Sequence, residues 1–198
     1  MAKAASSSAG IEVPALAIRV VTLQIVGDSP LISHKWSDKA REMISGKQQG
    51  EAVQKNIARD PQQEFEESMY RFPDGRYGFP SVAFKAAAVD AATQVKGLTK
   101  TYLRGAFHTQ GELTEIIGQP RLREDMVRIG MGTADIRWRA EFPEWSAPLR
   151  VRFNENSITI AQLVHLFNAA GFSCGLGEWR PQKDGSYGMF HVEEVIGA

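Results

Sequence analysis

The sequence has little cysteine, little histidine and no long apolar run, and each shortage closes off a class of protein. Cys174 is the one cysteine in 198 residues, which excludes an internal disulfide. The four histidines (His34, His108, His165, His191) are scattered without metal-ligand spacing, so no structural metal and no cofactor is expected. The apolar stretch at 17–26 is broken by Arg19 and Gln24, and the opening MAKAASSSAG is small and polar. Neither a membrane span nor a signal peptide is expected, and a soluble, cytoplasmic protein follows. Net charge is absent as well: 23 acidic and 23 basic residues cancel, which argues against coating nucleic acid by bulk charge. No nucleophile stands beside a local base and no carboxylates are closely paired, so a non-enzymatic protein is expected.

What is present suffices for a sizeable core, since 43% of the residues are apolar. A flexible tail over 1–13 and one domain over 14–198 are expected. Ala17–Val26 (AIRVVTLQIV) is β-branched and apolar and reads as a strand ended by Gly27-Asp28-Ser29-Pro30. The loop LISHKW leads to Ser37, which opens a polar helical stretch; Asp60-Pro61 with Gln63 starts a second helix running to about Tyr70. Residues 37–70 therefore look like a helical insertion on the surface. Asp74-Gly75 between Phe72 and Tyr77 signals a hairpin, and an alanine-rich helix follows from Ser81 until Gly97 stops it.

Leu98–Gly118 is mixed, with two short strands. Ala134–Phe142 (ADIRWRAEF) alternates, with Ile136, Trp138, Ala140 and Phe142 on one face and Arg137, Arg139 and Glu141 on the other. Leu149–Phe153 repeats the pattern with Arg150 and Arg152 outward, which predicts an antiparallel pair with arginines on its open side. Thr159 with Gln162 caps a last helix whose apolar stripe (Leu163, Val164, Leu166, Phe167, Ala170) ends at Gly171, placed at the C-cap. A glycine-rich loop and a final strand, Tyr187–Val195, complete the chain. This order suits an α+β fold of the split β-α-β, ferredoxin-like kind: an antiparallel sheet with two packed helices and a helical insertion.

Charge is unevenly spread. Seven arginines lie between Arg121 and Arg152, after Lys96, Lys100 and Arg104, whereas DPQQEFEE at 60–67 is acidic. Such a particle could bind an anion or a copy of itself. Lys85, in the first turn of the alanine-rich helix, adds a cation where unpaired N–H groups already favour a phosphate. The loop GLGEWRPQKDGSYGMF offers close backbone approach at Gly177, cations at Arg180 and Lys183, and stacking planes at Trp179 and Tyr187. Loop and lysine together predict a single cradle for a phosphodiester chain. Set against these are plainer readings: a solvated lysine, a long hairpin turning at Asp184-Gly185, and the ordinary charged face of a half-buried sheet.

Three segments resemble the RAMP superfamily, the repeat-associated proteins that form the backbone of CRISPR effector complexes on an RRM-like fold. They are the first strand with GDSPLISH; YGFPSVAFKAAAVDAA with Pro80, Ser81, Ala83, Phe84 and Lys85; and the helix ending at Gly171 followed by GLGEWRPQKDGSYGMFHVEEV. Glu178, Trp179 and Pro181 stand where such proteins carry more glycine and arginine, and Met189 where a last arginine is common. The chain also resembles uncharacterised proteins of tailed phages and prophages, a free-standing form.

The resemblance implies subunits that polymerise head to tail along a single strand, grip phosphates on the sheet face and insert a hairpin thumb between bases; Arg121–Gly132 or the 98–112 segment would be that thumb. The expected interface comprises His34, Lys35 and Trp36 of the SHKW loop, Phe84, Lys85, Arg104, Arg121, Arg123, Arg128, Arg137, Arg139, Gly177, Trp179, Arg180, Lys183 and Tyr187. Its expected partners are single-stranded DNA or RNA, copies of the protein itself and CRISPR effector subunits, with no membrane. Two rival readings are a phage-borne inhibitor that caps a CRISPR complex by protein contact, and a metal-independent RNA endonuclease using His34 or Asp28.

Overall fold

A computed structural model describes residues 15–36, 45, 46, 48, 49, 59–129 and 132–197. The expected tail over 1–13, and Ser37 with most of the polar stretch it opens, lie outside the described residues. Among the described residues the main strands and α-helices follow in chain order: β1 (Ile18–Gly27), β2 (Leu31–Ser33), α1 (Pro61–Glu67), β3 (Tyr70–Arg71), β4 (Tyr77–Pro80), α2 (Ser81–Asp90), α3 (Lys100–Ala106), β5 (Phe107–Thr109), β6 (Leu113–Glu115), β7 (Arg121–Ile129), β8 (Thr133–Phe142), β9 (Ser146–Asn154), α4 (Ile160–Ser173) and β10 (Phe190–Ile196). No described helix is long and apolar enough to cross a membrane.

The central sheet runs β10-β1-β9-β5, every pair antiparallel. With α2 between β1 and β5, and α4 between β9 and β10, this is the strand order of a split β-α-β, ferredoxin-like sheet. Alternation decides which face each residue takes. Val21, Leu23, Ile25, Leu149, Val151 and Phe153 are buried and join one core with Phe84 and Ala88 of α2 and Leu163, Leu166 and Phe167 of α4. Phe107 meets Phe167 edge to face at 5.7 Å. The opposite face, with Val20, Thr22, Arg150 and Arg152, is partly open and carries no helix among the described residues.

Two smaller three-stranded sheets are inserted into this frame, β2-β8-β7 and β3-β4-β6. β8 and β9 are therefore not the antiparallel pair that their shared alternation suggests: β8 joins β2 and β7, whereas β9 joins β1 and β5, because alternation fixes the face of a strand and not its neighbour. The capping signals at 60 and 159 hold: Asp60 accepts from the Gln62 and Gln63 amides, and Thr159 with Gln162 forms a reciprocal box. Gly171 does otherwise. It lies inside α4, which continues to Ser173, and a Cβ there would stand 1.7 Å from the Phe190 carbonyl oxygen. Its smallness lets the helix cross β10 closely; the left-handed residue after the helix is Gly175, φ +64°.

Residues 98–112 are not a thumb, because they hold α3 and the core strand β5, with Leu103, Ala106 and Phe107 buried. The other candidate, Arg121–Gly132, begins a long antiparallel ribbon, β7–β8, whose register runs from Arg121 opposite Glu141 to Ile129 opposite Thr133. Gly130 and Met131 at its turn lie outside the described residues.

Candidate nucleic-acid interface

The hairpin arginines do not form the open cationic face that alternation predicts. Across the β7–β8 ladder, Arg121 and Arg123 both pair with Glu141, at 2.6 and 3.0 Å, Arg123 also with Asp125 at 2.8 Å, and Arg137 with Asp135 at 2.7 Å. Arg139 is only 6% exposed and meets the equally buried Asp125 at 3.3 Å. Each guanidinium here faces a carboxylate, so little field is left for a phosphate. Alternation located these side chains on one face, but that face is covered at its base by the glycine loop: the Tyr187 hydroxyl accepts from Arg123, whose guanidinium lies 4.7 Å over the Tyr187 ring. The other face of the hairpin is the exposed one, with Leu122, Met126 and Ile136 at 42, 72 and 41% exposure. Arg128 is exposed on the same strand, with no ion pair among the described residues.

Phe84 is wholly buried against Phe79 and Phe190 and cannot stack on a base. The glycine loop spends its backbone on the fold: the Glu178 amide donates to the Ile32 carbonyl, Leu176 to Gly188, and Gly188 to Pro30. Gly177, at φ +71°, lets the loop approach β2, since a Cβ there would stand 2.3 Å from the Ile32 oxygen. The loop lies beside Ala83, Ala86, Ala87 and Asp90, one face of α2. Lys85 leaves a different face, because successive helical residues turn by about 100°. Lysine and loop therefore do not make one cradle.

Around that loop, Arg180 donates to the Gly177 carbonyl, and Lys183 sits exposed in a 3-10 turn. The Lys35 amide donates to Ser68. His34 Nδ1 lies 2.9 Å from Glu178 Oε1; since a carboxylate only accepts, Nδ1 is the donor. That hydrogen bond holds the Glu178 carboxyl below the usual range. Trp36 and Trp179, near neighbours of this pair in sequence, are 60 and 41% exposed, and Trp179 adopts φ +53°. Asp28, the other residue of the endonuclease reading, pairs with His191 at 2.6 Å.

Lys85 reaches the edge strand β5 instead. Its Nζ donates to the Arg104 carbonyl at 2.9 Å and lies 3.0 Å from His108 Nδ1. An ammonium only donates, so His108 accepts at Nδ1 and carries its proton on Nε2. His108 stands directly opposite Arg152 in the β5–β9 register, and both are exposed on the open sheet face; Arg150, also exposed, is two residues along the same face. Partial burial and then the charges of Lys85 and Arg152 lower the His108 pKa below its ordinary 6.5, and burial lowers that of Lys85. Among the described residues no carboxylate pairs with Lys85, Arg150 or Arg152. Like charges gathered without a counter-ion favour an anion. Arg150 and Arg152 had been noted as outward in the sequence; His108 had no local signal, because only the β5–β9 pairing brings it to them. Among the described residues no group of three histidine, cysteine or carboxylate side chains could hold a metal.

No protein-family model matches the chain, and no curated protein matches its sequence. Among solved structures it is similar to a chain of the type III-B Cmr-beta, whose cryo-EM structure is bound to cognate target RNA. The TM-score is 0.54 at 10% identity, over 91% of this chain and 61% of that one. The likeness is one of fold, and this chain spans about 61% of its neighbour's length.

Proposed function

We propose that the protein binds single-stranded nucleic acid without cleaving it, RNA foremost, as a RAMP-like subunit that assembles head to tail along the strand. The observation that carries this reading is the group of Lys85, Arg150 and Arg152 with the neutral His108 beside them, paired with no carboxylate among the described residues, at the open face and edge of a ferredoxin-like sheet. The sequence resemblance to RAMP proteins and the fold shared with a Cmr-beta chain support it. In this reading those side chains hold phosphates, and the exposed Trp36 and Trp179 supply sequence-tolerant stacking planes. Lys85 and the loop that carries Trp179 lie toward different faces of α2, and in this reading a strand engaging both passes from one copy to the next. The exposed apolar face of the hairpin (Leu122, Met126, Ile136) serves as contact between copies, or with subunits of a CRISPR effector complex.

That same face favours a second reading, an inhibitor that caps such a complex by protein contact alone. Electron microscopy of the purified protein with and without a long single strand separates the two. Filaments that form only with the strand support the first; unchanged small particles, with no affinity for the strand, refute it and leave the second.

A further inference from the structure

Between α2 and the glycine loop lies a cavity of about 320 Å³, within the size range of small-ligand sites. One wall is the alanine face of α2 (Ala83, Ala86, Ala87), whose side chains are single methyl groups and leave the space open; Tyr70, Phe79 and Leu176 contribute to the apolar surface. Asp90 at the rim is already engaged, by Lys100 at 2.7 Å and Gln182 at 2.8 Å. Three rim groups keep unused hydrogen-bonding capacity among the described residues. Arg180 uses Nη1 on Gly177 and Nε on Gln182, which leaves Nη2 as a donor. Glu178 uses Oε1 on His34, which leaves Oε2 as an acceptor, and in the neutral imidazole, with Nδ1 donating, His34 Nε2 is a second acceptor.

Glu178 is hydrogen-bonded to His34 and two residues from Arg180 in the same loop, and all three line the cavity. The rim thus reads donor, acceptor, acceptor. Among the four bases, guanine alone presents the complement on one edge: O6 accepts while N1–H and the N2 amino group donate. Uracil offers acceptor, donor, acceptor; adenine and cytosine place one donor beside ring acceptors. The flat apolar walls suit a purine plane.

We propose that this cavity binds a guanine base, with Arg180 on O6, Glu178 on N1–H and His34 on the N2 amino group. The base comes either from a bound strand, in which case the inference rests on the function proposed above, or from a free guanine nucleotide.

Fluorescence anisotropy with uridine homopolymers carrying one central guanosine, adenosine or inosine tests it. The guanosine strand should bind about tenfold tighter than the adenosine strand, and inosine, which lacks the N2 amino group, should fall between. Ala86→Leu fills the cavity from an exposed helix position, and Glu178→Gln changes an acceptor to a donor with little change of shape. Either should erase the guanosine preference and leave affinity for the plain homopolymer unchanged; the second variant decides the matter should the first fail to fold. Titration with guanosine 5′-monophosphate separates the sources: binding to the free protein marks a nucleotide site, and preference seen only within strands marks a strand base. Equal affinity for all strands with no nucleotide binding overturns the guanine site and leaves strand binding standing. Nucleotide binding without any strand affinity keeps the site and removes the proposed function.

Discussion

Replacing Arg152 by glutamine removes one charge from the open sheet face and little else, since the side chain is exposed and has no ion pair among the described residues. If Lys85, Arg150 and Arg152 each hold a phosphate, the logarithm of affinity should fall with the logarithm of salt at a slope of about −2.1, from about −0.7 per single-strand contact. Between about 50 and 200 mM salt that is roughly an 18-fold loss for the native protein. With two contacts left in Arg152→Gln the slope should be about −1.4 and the loss roughly 7-fold. Anisotropy with a labelled oligonucleotide at several salt concentrations, above pH 7.5 where a neutral His108 drops out, measures both slopes. Thermal melting should show the variant as stable as the native protein. An unchanged slope in Arg152→Gln, Arg150→Gln and Lys85→Met alike would refute phosphate binding at this corner, whatever the affinity.

Acidification should act through His108. Its pKa lies below 6.5 in the free protein, and a phosphate beside it favours the imidazolium, so binding takes up a proton. Affinity should rise as pH falls through the window below 6.5, and His108→Asn should flatten the rise in the same titration. Gly171→Ala should destabilise: overpacking against Phe190 costs about 1–3 kcal/mol, outweighing a helical gain of up to about 1. Gly105→Ala in α3, where an added Cβ meets nothing within 4 Å, should stabilise by up to about 1 kcal/mol; urea melts read both. Asp125→Ala leaves buried Arg139, whose Nε already has no partner, without its carboxylate, and a loss on the order of 3 kcal/mol is expected, with faster amide exchange along β7 and β8.

Local chemistry was well legible in the sequence. β1, the alternation of β8 and β9, the Asp60 cap and the Thr159–Gln162 box all rest on neighbours within a turn or a pleat, and the element order was enough to suggest the sheet. Contacts across the chain were not. Gly171 looked like a helix end because its reason for being small, the Phe190 carbonyl, is far away in sequence. The arginines of β7 and β8 looked like an anion-binding face because their partners Asp125, Asp135 and Glu141 alternate with them, and spacing does not say which sign prevails. Phe84 carries a sequence resemblance and is core. Lys85 was singled out for its place at a helix start; what matters is the company of His108 and Arg152, assembled by strand pairing.

The register of β1 also bears on how the protein is made. Among the described residues it pairs only with Ser146–Asn154 and Phe190–Ile196, so a ribosome releases this inner strand of the sheet well before its two flanking strands, which follow only after the whole run from 28 to 145. Until then an apolar ribbon waits with both edges unpaired, a state open to mispairing and to capture by chaperones. Sheet closure is therefore bound to late synthesis, and a chain cut within α4 should leave β1 lacking one edge partner and expose it to proteases.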